Sequence, residues 1–174
     1  VWEALGAIDV RNAQASIAND FEYILRQVEA GPGMDHLNQT VRNKLRAWFA
    51  EAAEDALSEL EEKSEVCQRV VSGVIRVSQM MAELGKVARG KRLAQAWYQR
   101  MLESGCARTP EAASILARVG YACLWQFEAV TARAHLEQAF KIRQATATME
   151  TEEGAELQQW RGWLHATHGD LSGA

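Results

Sequence analysis

The sequence predicts an all-α chain built as an array of antiparallel helix hairpins, and three observations carry that expectation. Good helix formers (Ala, Leu, Glu, Gln and Arg) dominate it, and only two prolines, Pro32 and Pro110, interrupt its 174 residues. β-branched residues never alternate with polar ones over a long run, so strands have no support. Alanines at 18, 53, 94, 132 and 174 recur about 35 to 42 residues apart, the length of one helix pair and its connections. A single closed helical bundle is the alternative, because any amphipathic all-α chain yields some Ala-Leu-Gly spacing.

In chain order, the first unit covers 1–32. It opens with Trp2-x2-Leu5-Gly6, has Ala18 downstream, and is closed by the helix-breaking Gly31-Pro32-Gly33. The second, 35–66, starts at Asp35 as a helix cap and offers Leu37-x2-Thr40-Val41 and Ala53-x3-Leu57. Its acidic run Glu51–Glu65 alternates with Ala52, Ala56, Leu57 and Leu60 at helical spacing, the pattern of a solvated face opposite an apolar stripe. The third, 74–106, has Met81-Ala82, with Leu84-Gly85 as a rival register, then Ala94-x3-Tyr98. Gly90 is expected at its corner and Gly105 at its end. The fourth, 109–144, starts on Thr109-Pro110-Glu111: an N-cap, a proline at the first helical position, and an acid in the first turn. Leu116-x2-Val119-Gly120-x2-Cys123 follows, then a corner near Trp125–Phe127 and Ala132-x3-Leu136-x2-Ala139. The fifth, 155–174, holds Gly162, Gly169 and Ala174 and contributes a first helix alone, after a connector over Ala145–Gly154. A chain that starts at Val1 and stops in mid-pattern reads as a segment of a longer protein.

The aromatic-x2-Leu-Gly opening, the later Ala-x3-aromatic or Leu, and the closing proline resemble the tetratricopeptide repeat family. The likeness covers nearly the whole chain and is diverged in every copy; the connector and the Thr-Pro-Glu-Ala start resemble the longer repeats of kinesin-light-chain-type proteins. The resemblance implies a right-handed superhelical α-solenoid in which the first helix of each pair lines a concave groove. Residues one turn from the packing slots then face that groove. They are Asn38, Arg42 and Arg46 in the second unit, Gln79, Glu83 and Lys86 in the third, Tyr121 and Trp125 in the fourth, and Gln159 and Trp163 in the fifth. Basic, amide and aromatic side chains together suit a peptide with acidic and apolar anchors. The Lys/Asn carboxylate clamp of some family members is not reproduced.

No catalytic constellation accompanies this pattern. A serine elbow, a phosphate loop and a dinucleotide fingerprint are all missing, so the segment is read as non-enzymatic and without a cofactor. With 23 acidic residues against 19 basic ones, and no long Lys/Arg stripe, nucleic acid is not the expected partner. RNA binding by a related helical array would show as steeply salt-dependent affinity. No apolar run approaches the roughly 18 residues that span a bilayer, and no signal peptide is visible. Cys67, Cys106 and Cys123 are scattered and odd in number, which fits a reducing, cytoplasmic compartment better than a disulfide framework. Cys123 falls on a packing face and reads as core. His165-x2-His168 with Asp170 has metal-ligand flavour but reads as a solvated helix end, so no metal is expected. The function expected is a scaffold that holds a partner protein, a peptide or another domain of the same polypeptide. The alternative is a regulatory or sensor segment of a larger enzyme or signalling ATPase.

Overall fold

The most apolar helix of the chain, Pro110–Trp125, is buried around most of its circumference, from Ala112 to Leu124 with Arg118 and Tyr121 only partly covered. A helix apolar on all sides needs neighbours on all sides, and this one packs against four others. The computed structural model describes residues 18–63 and 65–167, with α-helices α1 Ala18–Ala30, α2 Met34–Glu62, α3 Gln68–Glu83, α4 Val87–Glu103, α5 Pro110–Trp125, α6 Ala129–Ala145 and α7 Glu152–Thr167. All regular structure among the described residues is helical. The chain divides into two compact units, Val1–Ala52 and Ala53–Ala174.

In the first unit, α1 turns into α2 at Gly31–Gly33, where the Gly33 N–H reaches back to the Val28 carbonyl at 2.8 Å. The segment expected as a helix pair over 35–66 is instead one helix of 29 residues, Met34–Glu62. Neither glycine nor proline interrupts it, so nothing opposes continuous propagation. Trp48 stands exposed with Phe49 edge-on to it, ring centroids 4.9 Å apart. Val1 to Ile17, with the Trp2 and Leu5-Gly6 slots, lie outside the described residues, as do Ser64 and His168 to Ala174.

In the second unit, α5 packs with α3, α4, α6 and α7, while α3 pairs with α4 and α6 with α7. Antiparallel pairing of α5 and α6 is read directly from contacts: Gly120 lies against Leu136, and Ser114, further from the turn, meets Arg143. The end of α2 supplies Ala53, Leu57 and Leu60, one helical stripe, to the same core. Ala53, Ala94 and Ala132 are all buried; Ala174 and the Ala18 side chain lie outside the described residues. Hydrogen bonds between like helices join residues 37 to 40 positions apart: Leu60 to Trp97, Lys63 to Arg100, Lys91 to Glu128, Tyr98 to Gln138, and Arg118 to Glu156. These bonds set the end of α2 along α4, α4 along α6, and α5 along α7.

Glycine positions show which close approaches the packing uses. The corner before α4 is Gly85, not Gly90: Gly90 lies inside α4, where an added Cβ would sit 2.7 Å from the Ser78 carbonyl oxygen of α3. At Gly120 the same atom would fall 2.8 Å from Leu136. Gly162, expected to be another such slot, has nothing within 4 Å. Gly90→Ala is expected to destabilise the protein by about 1–2 kcal/mol, overpacking against unyielding backbone outweighing helix propensity. Gly162→Ala is expected to stabilise it by roughly 0.5–1 kcal/mol. Thermal melts of the two variants should move in opposite directions, and a shared direction would refute this assignment of contacts.

All four helix connections from α3 to α7 close with the same pair of backbone bonds, the Schellman pattern, around a residue of positive φ. Gly85 and Gly105 hold that position after α3 and α4; Phe127 (φ 59°) and Ala147 (φ 53°) hold it after α5 and α6. Phe127 is 88 % exposed, so burial does not offset the left-handed strain of its bulky side chain. Phe127→Gly is expected to raise stability by about 0.5–1 kcal/mol, read as a higher urea midpoint.

A candidate binding groove between α3, α5 and α7

Packing of α5 against α7 places Tyr121 and Trp125 beside Trp160 and Trp163. The Tyr121 and Trp160 rings lie 4.7 Å apart at a tilt of 33°, and Trp125 meets Trp163 edge-on at 6.0 Å. Trp125 also sits edge-on to Tyr121 at 6.2 Å, so the four rings form one continuous ladder. Trp160 is buried at its base, whereas Trp125 is 54 % and Trp163 40 % exposed. Arg118, one turn before Tyr121, lays its guanidinium 4.9 Å over the Trp160 ring and bonds Glu156 at 2.7 Å. Edge-on rings and a guanidinium over an aromatic face are favourable geometries for aromatic surfaces.

The end of α3 completes the site. Gln79, Ala82 and Glu83 face Arg118, Tyr121, Trp125, Glu156 and Trp160 across a cavity of about 520 Å³. The Gln79 amide donates to the Glu83 carboxylate at 3.2 Å. A larger cavity of about 870 Å³ lies between the end of α2 and α3, but Glu59, Glu62 and Glu65 balance Lys63, Arg69 and Arg76 there and no aromatic ring lines it.

Of the ten residues expected in the groove, Gln79, Glu83, Tyr121 and Trp125 line this cavity, and Trp163 joins it through Trp125. Lys86 points elsewhere: with Arg89 it pairs with Glu54 in the last third of α2. The Lys86 hydrogen bond and the Arg89 charge hold the Glu54 carboxyl below the ordinary carboxylate range, against a partial desolvation that pushes it up. Gln159 is exposed beside the site, and its neighbour Trp160 takes the lining position. Asn38, Arg42 and Arg46 belong to the first unit, where Asn38 is buried and Arg46 exposed. Reasoning from single repeats missed Arg118 and Glu156. Opposite charges 38 residues apart were the available signal.

Outside the groove, Cys123 is fully buried beside the Lys91–Glu128 ion pair. Burial pushes its thiol up, the neighbouring Lys91 ammonium opposing only in part. Thiolate chemistry needs the opposite shift. No group of three His, Cys, Asp or Glu side chains converges as a metal set among the described residues; His168 and Asp170 lie outside them. No helix among the described residues is long and apolar enough to cross a membrane. No family model, curated protein or solved structure matches the chain, so the likeness to tetratricopeptide repeats rests on its own residues.

Proposed function

We propose that this chain is a non-enzymatic interaction scaffold. In this reading its hairpins stack as a tetratricopeptide-like solenoid, and a partner protein or peptide, or another stretch of the same polypeptide, lies along the groove between α3, α5 and α7. The observation that carries the reading is the ladder from Tyr121 to Trp163, which leaves two large indoles exposed at the mouth of a cavity walled by successive like helices. Aromatic side chains are the commonest anchors of protein interfaces, and exposed tryptophans grouped in a concavity carry more weight than scattered ones. The parallel contacts 37 to 40 residues apart support stacked hairpins over a closed bundle.

The test is affinity capture from the cells that make the protein, comparing wild type with Trp125→Ala/Trp163→Ala. Removing both exposed indoles is expected to reduce capture of specific partners at least about tenfold, two hot-spot truncations costing 2 kcal/mol or more together. Helical circular dichroism should stay unchanged because neither ring is buried. Undiminished capture by a folded double variant would remove the groove from the account.

A further inference from the structure

The charged side chains of the groove are engaged within the chain. Arg118 is held between the Trp160 ring and the Glu156 carboxylate, and Glu83 accepts from the Gln79 amide. An acidic or basic anchor would have to compete with one of these bonds. What stays open is a set of donors on aromatic rings. The Tyr121 hydroxyl and the Trp125 and Trp160 indole N–H groups meet no acceptor among the described residues, and neither the Tyr121 nor the Trp160 group is sealed from solvent. Apart from that hydroxyl, the Gln79 amide oxygen is the one uncommitted acceptor among the side chains of the lining. A ligand that fits is therefore neutral, rich in carbonyls and poor in N–H groups.

We infer that the groove takes a proline-rich segment of a partner, in the extended polyproline conformation, across Tyr121, Trp125 and Trp163. An ordinary extended peptide brings one N–H with every carbonyl, and an N–H turned to an aromatic wall loses its bond to water without replacement. Proline has no N–H to lose. Its carbonyls make no bonds within such a helix, so they are free to accept from the ring N–H and O–H groups, and aromatic-lined grooves are the surfaces that such segments dock on. Edge-on contacts at 6.2 Å and 6.0 Å from Tyr121 to Trp125 to Trp163 break the wall into separate facets, each able to take one proline ring. The inference rests on the groove reading proposed above and names the class of its ligand.

A random-peptide phage library panned against the whole chain, and in parallel against Trp125→Ala, tests the two readings separately. Clones that bind wild type and lose Trp125→Ala are expected to share prolines spaced about three residues apart, one turn of the polyproline helix. In a synthetic copy of such a clone, alanine in place of one of these prolines restores an N–H and should weaken binding about tenfold. N-methylalanine at the same position, which also lacks the N–H, should keep most of the affinity. Tyr121→Phe, which keeps the ring and removes its hydroxyl, should weaken the same peptide about fivefold with unchanged circular dichroism. Trp125-dependent clones without enriched proline, or a peptide that binds as well with alanine, would overturn the inference and leave the groove standing. A library with no Trp125-dependent clones would overturn both.

Discussion

Trp97→Ala is expected to destabilise the protein by about 4 kcal/mol, within the range for emptying a fully buried aromatic site. Trp97 has no exposed surface and sits in the common core of the second unit. Its loss reaches beyond volume, because the indole N–H donates to the Leu60 carbonyl at 3.3 Å. Arg100, one turn on, stacks 4.7 Å over the same ring and donates to the carbonyls of Lys63 at 2.8 Å and Glu61 at 3.3 Å. Together they satisfy carbonyls at the end of α2, which no further helical turn supplies with donors, and place a cation at its negative pole. Trp97→Phe keeps most of the packing and loses the indole donor, so a cost of about 1–2 kcal/mol is expected. Urea unfolding followed by circular dichroism measures both. A loss under 2 kcal/mol for the alanine variant would mean that the core collapses around the gap instead of holding its close packing.

What local chemistry dictates was legible in the sequence. Thr109-Pro110-Glu111 starts α5 as its residue types require, with the Thr109 hydroxyl accepting from the Ala112 N–H at 3.2 Å. The helical character, the corner after Trp125 and the burial of Cys123 follow equally from propensity and spacing. Features that depend on a residue far along the chain were not legible. Gly85 and Gly90 look alike as glycines, and only the Ser78 carbonyl pressed against one of them separates a turn from a close helix crossing. In place of the expected pair over 35–66, α2 runs on as one helix because no breaker interrupts it. In the groove, Tyr121 and Trp125 could be placed because they are the wide aromatic positions of an otherwise small-residue helix. The charge of the groove could not: Lys86 is drawn away by Glu54, 32 residues earlier, and Arg118 is held by Glu156, 38 residues later.

Arg143 poses a sharper question, whether a buried cation is kept for its hydrogen bonds or for its bulk. It is 2 % exposed, and no carboxylate forms an ion pair with it among the described residues. Burial draws its guanidinium below the usual range, with Glu153, Glu111 and Glu156 pulling back from a distance. Its nitrogens donate to the Ser114 hydroxyl at 2.7 Å, and to the Thr148 carbonyl and Thr151 hydroxyl at 3.1 Å, while Nε has no partner. Each acceptor keeps another bond without it: Ser114 donates to the Pro110 carbonyl, Thr151 to the Thr148 carbonyl, and Thr151 accepts from the Gly154 N–H. Removing the guanidinium therefore strands no group, and three charged hydrogen bonds of roughly 1.5–3 kcal/mol each are set against a desolvation cost of several kcal/mol. The two nearly cancel, so Arg143→Met, which keeps the aliphatic stem, is expected to change global stability by less than about 1 kcal/mol. Arg143→Ala leaves a cavity under α5 and α7 and should cost about 3 kcal/mol. The hydrogen bonds act locally, since they pin the connector between α6 and α7 to Ser114 of α5. Amide hydrogen exchange over Thr148–Gly154 should accelerate in both variants, while the urea midpoint falls only for alanine. If methionine costs as much as alanine, the charge itself stabilises the fold, and the balance drawn here between desolvation and hydrogen bonding is wrong.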